Sequence, residues 1–399
     1  MNLSSVFSEV AHKVLVAVDL PNLGSHQHEL NGVSALKEFF GTSGPTRGTL
    51  SWHYFADDQE PVQATSEFTF YDARAKSADR TGRSEWRFYY EGGFLALADV
   101  GDRFFLARSQ SGQLFGLVFQ GNSGWLRAAQ ALFGVQISTS LFDSVPRETL
   151  DHQELELLRR QILDELSLDL AVPVPPSDED LMLEKYGKTF PTTKEMALFA
   201  RSQVEVDPGH PDDTLVRWLN REEELFRALE NVVIRERLDQ GFRTVDEFIE
   251  YSLSVQNRRK SRMGFALQNH LAELFARHDL RFTAQARTEE NNRPDFIFPG
   301  QEEYRNETFD SALLIMLGVK STSKDRWRQV LTEADRIPEK HLCTLEAGIS
   351  VKQTAEMRRQ KLTLVIPDSL IETYTATQIE ELLNVGGFIE LARSKQKQA

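Results

Sequence analysis

Cysteine is almost absent from the chain: Cys343 is the only one in 399 residues. A lone thiol forms no internal disulfide and builds no multi-cysteine zinc centre. No apolar run approaches the roughly 18 residues needed to cross a bilayer. The first residues lack the charged stretch and apolar core of a secretion signal, so a soluble, cytoplasmic protein with no membrane partner is expected. Positive charge is also in deficit, since 46 Lys and Arg stand against 60 Asp and Glu, a net charge of −14. That excludes a broadly basic DNA-coating protein. It does not exclude an enzyme that gathers its cations on one face, because affinity for nucleic acid comes from local phosphate contacts. Internal repeats and low-complexity tracts are missing too. With 40% hydrophobic residues, the chain has the material for roughly two or three buried cores.

Three regions differ in pattern. Residues 1–145 carry short strand-like runs separated by Gly- and Asp-rich breaks, among them Lys13–Val18, Leu50–Phe55, Glu85–Tyr90 and Leu114–Phe119. Regular short strands with turns between them predict a small β-barrel or sandwich. Residues 146–185 contain an acidic helical pattern over Leu150–Leu168, then Val172-Pro173-Val174-Pro175-Pro176, which stops any helix and marks a linker. Residues 186–399 mix helical and strand periods. Helices are predicted over Asp212–Leu238, Val245–Leu253, Gly264–His278, Asp325–Arg336, Val351–Gln360 and Thr377–Asn384. Strands are predicted at Phe296–Phe298, Ala312–Lys320 and Leu362–Ile366. The expected class is mixed α/β: a mostly-β, barrel-like first domain, then an α/β core.

Chemistry concentrates in that core. Ala312–Val319 is a continuous apolar run, as expected of a strand buried on both faces, and it ends in Lys320. A lysine leaving a buried strand needs counter-charge. Asp295, after Pro294, opens the preceding strand, and a wide hairpin would bring it to the same end of the sheet as Lys320. Nucleases of the PD-(D/E)XK kind place a second acid two residues before the lysine, on the same strand face. Here that slot is Gly318. The vacancy points to a carboxylate reaching in from the next helix, and Glu333 is the candidate. Asp295 and Glu333 would hold a magnesium ion, whose remaining octahedral positions take water or phosphate. Lys320 would orient the attacking water and offset developing charge. Taken singly, a Pro-Asp pair is commonly a turn, a strand-ending lysine a solvated edge, and a helical glutamate surface; their combination carries the reading.

Two basic clusters stand out against the acidic background. Arg258, Arg259, Lys260 and Arg262 form one; Arg326 and Arg328, just beyond Lys320, form the other. Both are candidate phosphate contacts for a duplex, weighed against plain solvated helix ends. In the first region, Arg74, Arg80 and Arg83 lie on a loop flanked by Tyr71 and by Trp86-Arg87-Phe88-Tyr89-Tyr90. A basic loop with aromatic flanks suits a nucleic-acid groove, although an aromatic core strand with a solvated loop reads equally well.

From about residue 186 to 395 the chain resembles the EcoRII-type restriction endonucleases. The stretches that carry the resemblance are Asp239-Gln240-Gly241-Phe242 through Asp246-Glu247-Phe248-Ile249, Ser254 to Arg262, and Arg293-Pro294-Asp295-Phe296-Ile297-Phe298-Pro299. The longest is Val319-Lys320-Ser321-Thr322-Ser323-Lys324-Asp325-Arg326-Trp327-Arg328-Gln329, on to Glu333-Ala334-Asp335. The resemblance implies a restriction-endonuclease-like core, magnesium dependence and sequence-specific cleavage of double-stranded DNA by a homodimer. It further implies a restriction-modification system for phage defence, with a cognate DNA methyltransferase as functional but not physical partner. It agrees with a displaced acid at Glu333 and adds Tyr304 and Lys324 as site residues. One departure is Gln268, where the family tends to carry a glutamate near the metal. The first region resembles the family's DNA-binding, effector-type domain more loosely; that likeness implies a domain that binds a copy of the recognition site and covers the nuclease cleft.

Two other readings share these residues. One is a modification-dependent or phage-defence nuclease whose first domain senses an altered base. The other is a DNA-binding protein with an inactive nuclease core, against which the joint presence of Asp295, Lys320 and Glu333 argues.

Overall fold

The computed structural model describes residues 3–21, 28–31, 33–57, 59–75, 84–146, 162, 166, 176–322 and 326–399. The chain divides into two compact units between Leu170 and Ala171, with Ala347–Val351 and Glu372–Tyr374 grouped with the first. The expected helix over 150–168 and the proline run fall almost wholly outside the described residues.

The first unit is built on one eight-stranded sheet. Its strands are β1 (Phe7–Val14), β2 (Glu29–Leu30), β3 (Thr46–Phe55), β4 (Val62–Asp72), β5 (Trp86–Tyr90), β6 (Arg103–Ser109), β7 (Leu114–Phe119) and β8 (Asp143–Ser144), in the order β2-β5-β4-β3-β7-β6-β1-β8. Alternation along β4 and β5 sends Phe68, Phe70, Phe88 and Tyr90 into the core, where the Phe68 and Phe88 rings stack 5.3 Å apart. Gly116 is required opposite Trp52, because a Cβ there would lie 2.8 Å from the indole. The expected barrel-like, mostly-β domain takes the form of an open, curled sheet, whose edge strands β2 and β8 span two residues each. Edges this short offer little for another chain to pair with. Helices α1 (Leu36–Phe40) and α2 (Gly124–Phe133) accompany it; Ser123 caps α2 by accepting from Leu126 N at 3.0 Å.

The second unit starts with four helices: α3 (Pro176–Tyr186), α4 (Thr193–Ser202), α5 (Pro211–Gln240) and α6 (Val245–Arg277). Pro211 at the first turn starts α5, and Thr244 caps α6 by accepting from Glu247 N at 3.1 Å. The two helices expected at Val245–Leu253 and Gly264–His278 are a single helix, so the basic run 257–262 lies in mid-helix. No proline interrupts the span between them, and Arg259 and Arg262 are drawn onto glutamates of α5. A five-stranded sheet follows, with β9 (Thr283–Ala284), β10 (Phe296–Phe298), β11 (Ile315–Lys320), β12 (Lys340–Thr344) and β13 (Leu362–Val365) in the order β13-β12-β11-β10-β9. The pairs β9–β10 and β10–β11 are antiparallel, and β11–β12 and β12–β13 are parallel. The chain is therefore mixed α/β, as expected. Short helices α7 (Gln301–Arg305) and α8 (Trp327–Leu331) stand by the sheet; α9 (Val351–Arg359) and α10 (Val385–Gln398) follow. Buried Asp212 joins α5 to α10 by accepting from Val385 N and Gly386 N, both at 2.9 Å.

Candidate active site

Antiparallel pairing sets Phe296 opposite Leu317, so Asp295, one residue before β10, comes level with Gly318. Its carboxylate is held on three sides. Oδ2 accepts from Val319 N at 2.7 Å, Oδ1 accepts from Gln285 Nε2 at 2.9 Å, and Lys320 Nζ stands 3.7 Å from Oδ2. The Lys320 side chain ends β11 at 22% exposure and that of Asp295 has 15%, so the pair is shielded yet reachable. Burial pushes the Asp295 carboxyl up. The Lys320 ammonium and the hydrogen bonds from Val319 and Gln285 pull against that shift. Nothing in the sequence marks Gln285: a glutamine ten residues before Asp295 carries no signal of its contact with that carboxylate.

Gly318 is not an empty slot. A Cβ there would lie 2.9 and 3.0 Å from the two methyls of Val330 on α8. The expectation that a carboxylate reaches into the vacancy is corrected: Val330 fills it, and the glycine lets α8 press against β11. The helix predicted over 325–336 is only the five residues of α8. Glu333 sits just beyond, on a turn whose Ala334 has φ 55°. That turn brings its carboxylate into the field of both other groups. Burial raises the Glu333 pKa to about 7, Lys320 and Lys340 pull it down, and Asp295 pushes it up. Glu333 Oε2 is buried with no hydrogen-bond partner among the described residues. A buried carboxylate oxygen left bare costs free energy unless something positive occupies its front.

Tyr304 is buried, and its hydroxyl donates to Glu289 Oε1 at 2.7 Å and Oε2 at 2.5 Å. Glu289 Oε2 also accepts from Asp335 N at 3.4 Å, and Arg336 reaches the carbonyls of Tyr304, Asn306 and Phe309. The Tyr304 ring thus supports the turn after Glu333, and burial beside Glu289 raises its pKa. Gln268 is half-buried on α6. Lys324 lies outside the described residues.

The basic candidates divide. Arg262 is buried, with its guanidinium on Glu222 at 3.4 Å and on Glu223, and stacks over Phe226 at 4.4 Å. Arg259 holds buried Glu230 at 2.7 Å, and Arg258 lies 4.3 Å over the Phe190 ring. The expectation of phosphate contacts is corrected for Arg262 and Arg259: they neutralise glutamates between α5 and α6. The side chain of Lys260 is outside the described residues. Arg326 is exposed; Arg328 is exposed, ion-paired with Glu356 at 3.0 Å. Arg74 pairs with Glu85 at 2.7 Å, and Arg80 and Arg83 lie outside the described residues.

A mixed sheet that carries an acid before one strand, a lysine ending the next and a further carboxylate beside them has the layout of a PD-(D/E)XK nuclease core. The family model described as EcoRII C terminal matches residues 226–389, so this part of the chain is similar to the EcoRII-type restriction endonucleases. The type II restriction enzyme EcoRII of Escherichia coli is 41% identical over 230 residues, which are 57% of this chain and 56% of that enzyme. The chain thus spans little more than half the length of this curated relative. Among solved structures, metal-depleted Ecl18kI in complex with uncleaved, modified DNA aligns with TM-score 0.46 at 15% identity, over 55% of this chain and 84% of its own. A PspGI–substrate DNA complex aligns with TM-score 0.44 at 16% identity, over 53% of this chain and 95% of its own.

Proposed function

We propose that the protein is a type II restriction endonuclease that hydrolyses both strands of double-stranded DNA at a specific sequence, with a divalent metal ion, magnesium by preference. The observation that supports this best is the Asp295–Lys320 pair at 3.7 Å beside a buried Glu333 oxygen that has no hydrogen-bond partner among the described residues. Two carboxylates on a shielded sheet end suit a hard cation that keeps waters and substrate oxygens as its other ligands. Asp295 and Glu333 would hold the ion, which supplies charge stabilisation at the scissile phosphate and acidifies a bound water.

The remaining work falls to the chain itself. Val319 N and Gln285 fix the Asp295 carboxylate, so it need not reorganise when substrate arrives. The Lys320 ammonium, leaning on Asp295, is placed to donate to a phosphate oxygen, orient the attacking water and offset charge as the P–O bond breaks. Shielding from bulk water strengthens each of these interactions. Exposed Arg326 and Arg328 would hold the phosphate backbone beside the cut. Cutting two antiparallel strands calls for two such sites, hence a homodimer. The first unit would bind DNA as a recognition or effector domain. A cognate methyltransferase would protect the host sequence, in the cytoplasm. Digesting a sequenced plasmid with magnesium, and with chelator as control, tests the proposal. Discrete, mappable ends are expected; intact plasmid, or random fragmentation, would refute it.

A further inference from the structure

Lys340 opens β12, an interior strand of the second sheet, yet it is a lysine with 7% exposure. In the parallel register Met316 lies beside Lys340, and Lys320 beside Thr344. Alternation therefore puts the side chains of Lys340, Gly318 and Lys320 on one face of the sheet. This is the face on which Val330 packs. Glu333 stands in the field of both ammoniums, Lys320 and Lys340. Lys340 does more than face it: Nζ donates to Ile337 O at 2.9 Å and Ala334 O at 3.4 Å. Those carbonyls belong to the turn that follows Glu333, and Ala334 adopts the left-handed φ of 55°, which non-glycine residues enter at a cost. On the other side, Glu289 accepts from Asp335 N, and Arg336 is tied to carbonyls near Tyr304. A strained turn persists only where its surroundings over-determine it. The charged groups around the ammonium are Glu289, Glu333 and Asp335.

We propose that Lys340 is a positioning residue for Glu333: its buried ammonium, bonded to the Ala334 and Ile337 carbonyls, fixes the turn that sets the second carboxylate beside Asp295 and Lys320. This rests on the nuclease reading above. A lysine used only to fill space would be poorly chosen for an interior strand, where its charge must be desolvated and its donors matched. Here two donors meet backbone carbonyls of one turn, and the charge faces the acid that the turn presents. Groups behind a metal ligand set its aim, and their loss typically weakens metal binding about 10-fold or more.

The test compares the full-length wild type with Lys340→Met, which keeps length and removes charge and donors, and with Lys340→Arg, which keeps the charge. Two magnesium titrations are read: plasmid cleavage, and the rise in Tm of the DNA-free protein. Lys340→Met is expected to need about 10-fold more magnesium for the half-maximal effect in both, with cleavage at saturating magnesium close to wild type and Lys340→Arg in between. Unchanged magnesium dependence in a folded Lys340→Met, or a loss of turnover that magnesium does not restore, overturns the proposal. Should Lys340→Met fail to fold, Lys340→Arg decides alone: a raised magnesium requirement supports the role, and a wild-type one overturns it. If the wild type cleaves no DNA, the nuclease reading fails, while the Tm titration still reads Lys340 on its own.

Discussion

Val330 occupies the space that a side chain at Gly318 would need, with its methyls 2.9 and 3.0 Å from the would-be Cβ. The usual position of the second acid is therefore closed, and α8 is pressed onto β11 by the same contact. Restoring the acid with Gly318→Glu in a Glu333→Gln background is expected to give no cleavage. It should also lower stability by about 2 kcal/mol through overpacking. Plasmid cleavage and a thermal melt check both parts, and recovered cleavage would show that the slot is open after all.

Glu333 carries a pH dependence of definite sign. Its pKa is raised from 4.5 to about 7 in the folded protein, so between those values the folded state binds more protons than the unfolded chain. The stability held by the protonated form is complete below about 4.5 and is lost as pH rises through about 7. Without divalent metal at about pH 8, Glu333→Gln should be more stable than wild type, by roughly 2 kcal/mol after allowing for partial solvation. Melts at about pH 5 and pH 8 read the effect; a variant equally or less stable at the higher pH contradicts it. Magnesium binding should correspondingly weaken as pH falls below about 7.

Arg262 and Arg326 are expected to behave oppositely. Arg262→Ala removes one partner from each of the buried Glu222 and Glu223, which keep His270 and Arg227 respectively, and should cost about 2–3 kcal/mol. Arg326 is exposed at the start of α8. Arg326→Ala should leave the melt unchanged and reduce the salt dependence of DNA binding by about one phosphate contact. Melts and salt titrations of binding separate the two, and a salt slope altered by Arg262→Ala at unchanged stability reverses the assignment.

Tyr304 serves the turn through Glu289 at 2.5 and 2.7 Å. Tyr304→Phe is expected to lower stability by about 1 kcal/mol and to keep cleavage within about 10-fold of wild type, well short of the loss on removing a group that acts in the transition state. A loss as deep as that of a Lys320 variant would place the hydroxyl in the chemistry.

What sequence makes legible here is local. An apolar run ending in Lys320 announces a buried strand with a charged end, and Pro294-Asp295 precedes a short aromatic strand, so the mixed α/β core can be read from pattern. What it conceals depends on distant contacts. Lys340-His341-Leu342-Cys343-Thr344 has too little apolar character to signal an interior strand, though it is buried throughout. The basic run 257–262 looks like a DNA contact because its partners, Glu222, Glu223 and Glu230, lie about 30–40 residues away on another helix. The barrel-like character of the first sheet is legible in its short strands, but its strand order is not, because pairing depends on contacts distant in sequence.

Lys320→Ala tests the central claim most directly, with binding and cleavage measured on one DNA. The variant is expected to bind duplex DNA carrying the site about as tightly as wild type, while cleavage with magnesium falls by about 10³-fold or more. Cleavage at the wild-type rate would mean that Asp295, Lys320 and Glu333 are not the centre of a phosphodiesterase.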